Sequence, residues 1–172
     1  MPNPLVTILV GSANDEPLLE PTKKVLTELG IPFVFRVASA HRNPERVREI
    51  ALRAESDGVE VFICAAGGAA ALPGAVAALT TLPVIGVPLA SSEIAGAMDA
   101  VYGVLQMPPG VPVAAVAVGA WGARNAAYLA AAIIGQADAG VRERYEAFRR
   151  QQSQGTPAAP PSPPHSGGEQ RG

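Results

Sequence analysis

The sequence predicts an α/β fold of three layers, a flavodoxin-like, doubly wound parallel sheet of five strands. Three observations predict it. Short apolar, β-branched runs recur along the 172 residues, and each is followed by a Gly/Ser/Ala-rich loop and then a helix-like segment. The runs are apolar almost throughout, as strands are when helices cover both faces of a sheet, and right-handed crossovers then wind the chain on both sides. The length suits one core. A single domain over residues 1–150 with a C-terminal helix is therefore expected.

The strands are expected at residues 5–10, 33–37, 59–64, 84–87 and 113–118. Between the first two, Gly30 stands where a helix should stop; after the second, Asn43 followed by Pro44 and Glu45 reads as an N-cap with proline at the first helical position. Gly58 should end that helix. Residues 61–92 contain no charged side chain, a length that would otherwise suggest a membrane span. Gly67, Gly68, Pro73, Gly74, Pro83, Gly86 and Pro88 cut the run into pieces too short to cross a bilayer, so it reads as buried core.

Two helical segments, residues 73–82 and 126–135, are apolar on every side. A covering helix on a small monomer shows a polar face, so these are read as contacts between subunits of a homo-oligomer. Residues 151–172, QQSQGTPAAPPSPPHSGGEQRG, carry no periodic apolar pattern and are expected to be a disordered Pro/Gly-rich tail. His165 lies in that tail and receives no role.

Thirteen Lys and Arg against fifteen Asp and Glu give a formal charge of −2, which argues against a nucleic-acid partner. The single cysteine, Cys64, sits within an apolar strand, where it packs and cannot form an internal disulfide. The opening MPNPLVTILVGS has neither a basic leader nor a small-residue cleavage site, so a cytoplasmic protein without a membrane anchor is expected.

In an open parallel sheet, ligands sit beyond the carboxyl ends of the strands, so the loops there carry the chemistry. After the first strand, Gly11-Ser12-Ala13-Asn14-Asp15 offers backbone N–H groups and a hydroxyl for a phosphate. Asp15 supplies either a carboxylate for ribose hydroxyls or an N-cap. After the second strand, Ser39-Ala40-His41-Arg42 places an imidazole that titrates near neutrality beside a guanidinium that matches phosphate in a bidentate fork. The loop 65–74, with Gly67, Gly68 and Ala69, has no acid–base group, and its small residues let backbone amides approach a ligand. The loop 119–126 is of similar character, and its Asn125 either holds a ligand amide or caps the following helix. No zinc-type ligand spacing, GxGxxG or GxxxxGK[ST] occurs, so a reaction without metal or cofactor is expected.

In this order, GSANDEP, SAHRNP, AAGGAAALPG, LPVIGVP, QMPPGVPV and GAWGARNAAYLAA resemble the motifs of the PurE family across residues 6–135. The resemblance implies an N5-carboxyaminoimidazole ribonucleotide mutase of purine biosynthesis, octameric and cofactor-free. It implies that His41 is the general acid/base, a role typically contributing ~10²–10⁴-fold. It also implies substrate contacts from Ser12, Asp15 and Arg42, with Ser39, Gly67, Gly68 and Ala69 lining the same pocket, and a water-excluding wall that includes QMPPG. Two departures stand out. Ala71 occupies the place of histidine in the family's GGAAHLPG, and Asn14 replaces a serine. A direct carboxylase of aminoimidazole ribonucleotide using CO2 is a neighbouring enzymatic alternative, and the first departure leaves open a non-catalytic ribonucleotide-binding relative.

Overall fold

The computed structural model describes residues 3–91 and 95–155. Five strands, β1 (Val6–Val10), β2 (Phe33–Val37), β3 (Val61–Ala66), β4 (Val84–Pro88) and β5 (Ala114–Ala115), form one all-parallel sheet in the order β2-β1-β3-β4-β5. The order reverses direction after β1, which opens a crevice above the carboxyl ends of β1, β2 and β3.

The central strands bury both faces, so each feeds two cores by alternation. Val6, Ile8 and Val10 of β1, with Val61, Ile63 and Ala65 of β3, face α1 (Glu20–Glu28) and α5 (Gly119–Ile134). Leu9, Phe62 and Cys64 face α2 (Pro44–Arg53), α3 (Ala71–Ala77) and α4 (Met98–Leu105). The three layers expected from the sequence are therefore present. Thr22 in α1 is fully buried, and its hydroxyl donates 2.7 Å to the Ala123 carbonyl, locking α1 to α5. Gly86, inside β4, is required by packing, because a Cβ there would lie 2.4 Å from Val104 Cγ1 of α4.

Within the charge-free stretch β3 and β4 are buried throughout, as expected, while Ala69, Ala78, Thr81, Pro83, Ala90 and Ser91 in the connections are exposed. No helix among the described residues is long and apolar enough to cross a membrane. Gly30 and Gly58 both adopt positive φ, +64° and +88°, at the ends of their helical segments.

Several boundaries move. β5 pairs only over Ala114 and Ala115, since as an edge strand it has one neighbour and α5 begins at Gly119. Gly122 permits that early start: a Cβ there would fall 1.6 Å from the Ala117 carbonyl oxygen. Residues 119–126 are consequently the first turns of α5 rather than a loop, and Asn125, inside the helix, caps nothing. Nor does the Asn43 side chain cap α2, although the residue holds the N-cap position.

Part of the outer face of α5 is covered within the chain. A sixth helix, α6 (Ala139–Gln154), lies across it, with Tyr128 stacked 5.7 Å from Tyr145 and 4.7 Å from Phe148. Burial inside one chain thus accounts for part of the apolar pattern of residues 126–135, while Tyr128, Leu129, Ala132 and Ile133 stay partly exposed. α6 also extends through residues 151–154 of the expected tail; the rest of that tail, residues 156–172 with His165, lies outside the described residues.

Candidate active site

The loop after β1 turns directly into a 3-10 helix, Ala13–Leu19. Ser12 is its N-cap, with φ −145° and ψ 145°, and its Oγ accepts from the Asn14 N–H at 3.3 Å. Ser12 therefore does the capping, and Asp15 is released from that duty. Lys23 anchors the turn from the other side, bridging Glu16 at 2.7 Å and Glu20 at 2.8 Å. Asp15 is half-buried: desolvation raises its carboxyl above the ordinary 3.8, and the nearby Arg42 charge opposes the rise.

The loop after β2 closes on itself. The Asn43 N–H donates to the Ser39 carbonyl at 3.0 Å, while the Ser39 N–H donates to Asn43 Oδ1 at 2.5 Å. This is why Asn43 cannot cap α2: its side chain is turned back to hold Ser39. Ser39 Oγ accepts from the Arg42 N–H at 3.3 Å and from Arg42 Nε at 3.4 Å. The tight turn projects His41 outward, and its ring is exposed and without a hydrogen-bond partner among the described residues.

Gly11, Ser12, Asn14, Asp15, Ser39, His41, Arg42 and Gly67 line one open cavity of about 490 Å³, closed by Ala66, Ala70, Ala71, Leu72 and Ser91. That volume falls in the range of small-molecule sites. Six polar side chains from two loops, Ser12, Asn14, Asp15, Ser39, His41 and Arg42, meet there, at the end of the sheet where the strand order reverses.

Two sequence-predicted residues are displaced from the wall. Gly68 turns at φ +60°, and Ala69 is exposed with its carbonyl directed to α4. The wall is taken over by Ala70, Ala71 and Leu72. QMPPG is also absent from the lining: Met107 lies against Gly74, 3.1 Å from where a Cβ would stand. Conversely, Ser91, three residues beyond β4, lines the cavity although a serine pair after Leu89 and Ala90 carries no local signal. Cys64, fully buried, has its thiol pushed well above the usual range by desolvation and packs as expected. A smaller cavity of about 200 Å³ lies between β2 and α2, lined by Arg36, Arg46 and Arg53; Arg46 pairs with Glu49 at 2.6 Å.

Comparison with known proteins fits this geometry. The family described as AIR carboxylase matches residues 5–155. The N5-carboxyaminoimidazole ribonucleotide mutase of Pseudomonas aeruginosa is 46% identical over 150 residues, 87% of this chain and 91% of that protein. The protein of the same name from Pyrococcus horikoshii is 45% identical over 147 residues, 86% of this chain and 81% of its own. The bifunctional purine synthesis protein purC/E of Dictyostelium discoideum is 44% identical over 95% of this chain, which spans only 16% of that longer protein. Among solved structures, Treponema denticola PurE superposes with a TM-score of 0.79 at 32% identity, covering 88% of this chain and 92% of that one. With a family match over residues 5–155 and relatives this similar along most of their length, the chain belongs to the AIR carboxylase (PurE) family.

Proposed function

We propose that this protein is an isomerase of purine biosynthesis that converts N5-carboxyaminoimidazole ribonucleotide to 4-carboxy-5-aminoimidazole ribonucleotide, with His41 as general acid/base. The observation that carries the reading is the meeting of Ser12, Asp15, Ser39, His41 and Arg42 in one cavity that opens beside Gly67. The names of the relatives support the same activity.

Arg42, Ser12 and Ser39 form the phosphate end, where a guanidinium and two hydroxyls present donors. Asp15 accepts hydrogen bonds from the ribose hydroxyls. Gly67, with Ala70 and Ala71, lets the heterocycle approach the backbone. The bond between the exocyclic nitrogen and its carboxyl carbon breaks, and the electron pair returns to nitrogen, which takes a proton from the His41 imidazolium. CO2 is released within the cavity. C4 of the ring then attacks the CO2 carbon, and neutral His41 takes the C4 proton, restoring both the aromatic ring and the imidazolium. No electrons change hands, so the chemistry calls for no redox cofactor.

The protein works in the cytoplasm as a homo-oligomer, an octamer by resemblance to the family. Supporting this, Met98, Tyr102 and Leu105 form an exposed apolar stripe on α4, and Trp121 is 75% exposed.

The test is direct. Purified protein given N5-carboxyaminoimidazole ribonucleotide should form the C4-carboxylated isomer, and His41→Asn should abolish it; absence of turnover, or a His41→Asn variant as active as the parent, would overturn the reading. The family's description as a carboxylase favours one alternative, direct carboxylation of aminoimidazole ribonucleotide with CO2. A rate that rises with added bicarbonate distinguishes it. Ala71, a cavity residue without acid–base capacity, favours another, a ribonucleotide-binding relative without catalysis. Ala71→His should improve a mutase and create no turnover in a binder.

A further inference from the structure

The cavity is polar at one end and almost featureless at the other. Along the sheet order β2-β1-β3-β4, the loops after β2 and β1 contribute Arg42, Ser39, Ser12 and Asp15, whereas the loop after β3 contributes Ala66, Gly67, Ala70, Ala71 and Leu72. Among the lining residues supplied from β3 and β4, Ser91 is the one whose side chain can donate a hydrogen bond. It stands three residues beyond β4, which the sheet order separates from β2 by β1 and β3.

Its hydroxyl also occupies a place kept open for it. A Cβ on Gly67 would lie 1.6 Å from Ser91 Oγ and 2.9 Å from Ser91 Cβ. Gly67 is not among the glycines with positive φ, and the Leu89 carbonyl oxygen, at 3.1 Å, is the next atom such a Cβ would meet. The missing side chain makes room for the Ser91 hydroxyl at the cavity wall.

We infer that Ser91 is a substrate-positioning residue whose hydroxyl donates to the migrating carboxyl group at the end of the ligand opposite the phosphate. The inference rests on the isomerase reading above. A substrate held by its phosphate at Arg42 extends its heterocycle toward β3 and β4, where the carboxylate needs a donor to orient it. A neutral hydroxyl suits the step. It orients the carboxylate without the strong ground-state stabilisation that a cation would give, and such stabilisation would oppose release of CO2. Gly67 is then a specificity element through Ser91.

The experiment compares two ligands that differ only by the carboxyl group. With N5-carboxyaminoimidazole ribonucleotide as substrate, Ser91→Ala should lower kcat/KM by about tenfold to a hundredfold, the range of a hydrogen bond to a charged group. Binding of aminoimidazole ribonucleotide, which lacks the carboxyl, should be unchanged. Gly67→Ala, whose new Cβ would displace the Ser91 hydroxyl, should also lower kcat/KM, and Gly67→Ala combined with Ser91→Ala should be no worse than the more damaging single change. Equal losses for both ligands, or a Ser91→Ala enzyme with parental kcat/KM, would overturn the assignment while the isomerase reading stands. If the parent protein itself shows no turnover, the isomerase reading falls and this assignment falls with it.

Discussion

Arg42 ties the two polar loops of the cavity together: its Nη2 donates a 2.7 Å hydrogen bond to the carbonyl of Gly11, across 31 positions of sequence. The Nε of the same guanidinium points to Ser39 Oγ at 3.4 Å. The side chain is thus ordered before any ligand arrives, and less rotamer entropy, roughly 2 kcal/mol for a free Arg, remains to be lost on binding.

A lysine at this position has no planar fork and cannot hold the Gly11 carbonyl and a phosphate together. Arg42→Lys should therefore raise KM and lower kcat/KM by about tenfold to a hundredfold. Because Arg42 is exposed, the thermal midpoint should barely move. Steady-state isomerisation kinetics beside a thermal melt check both halves.

Asp15 lines the cavity with a carboxyl whose burial weighs against the fold. Burial raises its carboxyl above 3.8, and Arg42 only partly offsets this. The folded protein therefore holds a proton at pH values where the unfolded chain has released it, so ionised Asp15 weakens the fold above the raised folded value. That penalty fades as the pH falls through the raised value and is gone below 3.8. Asp15→Asn should raise the thermal midpoint at neutral pH, with the gain shrinking toward zero in acid, while substrate affinity drops. Melts across a pH series with matched binding measurements decide it; a uniform destabilisation would contradict the sign.

Much of this was legible in the sequence because it is local. The apolar runs place the strands, and the loops that follow them hold Ser12, Asp15, Ser39, His41 and Arg42, all five on the cavity wall. What escaped depends on contacts distant in sequence. Ser91 meets Gly67, 24 positions away, and α6 folds back over Tyr128 of α5, and no local pattern shows either contact. Asn43 carried a correct positional signal for a helix start, yet a competing bond to the Ser39 N–H claimed its side chain.

The loop after β3 is held from behind by α4. Ala70 is buried and sits in the left-handed region at φ 46°, a conformation costing an alanine roughly 1–2 kcal/mol, so its surroundings must hold it there. Gly103 lets α4 approach: a Cβ on it would lie 2.4 Å from the Ala69 carbonyl oxygen and 3.4 Å from Ala70 Cβ. Gly103→Ala should destabilise the protein by about 1–3 kcal/mol through overpacking. It should also lower kcat/KM, although Gly103 does not line the cavity, because Ala70 does. Urea unfolding and kinetics on the same preparation test the coupling.

At the opposite side of α5, the contact of α6 should affect stability alone. Tyr128 lies between Tyr145 and Phe148, and Arg144 Nε donates 2.6 Å to the Leu29 carbonyl, so α6 is fastened both by rings and by the end of α1. Phe148 is half-buried and remote from the cavity lining. Phe148→Ala should cost about 1–3 kcal/mol, less than a fully buried ring, with kcat/KM unchanged. Burial is the main reason the Tyr128 phenol titrates above its ordinary 10.0, helped by the Glu28 charge. Removing the Phe148 ring admits water to that phenol, so its ultraviolet titration should move back toward the ordinary value. A stable variant whose tyrosine titration is unmoved would show that α6 does not cover α5 in solution, and the outer face of α5 would again need a partner from outside the chain.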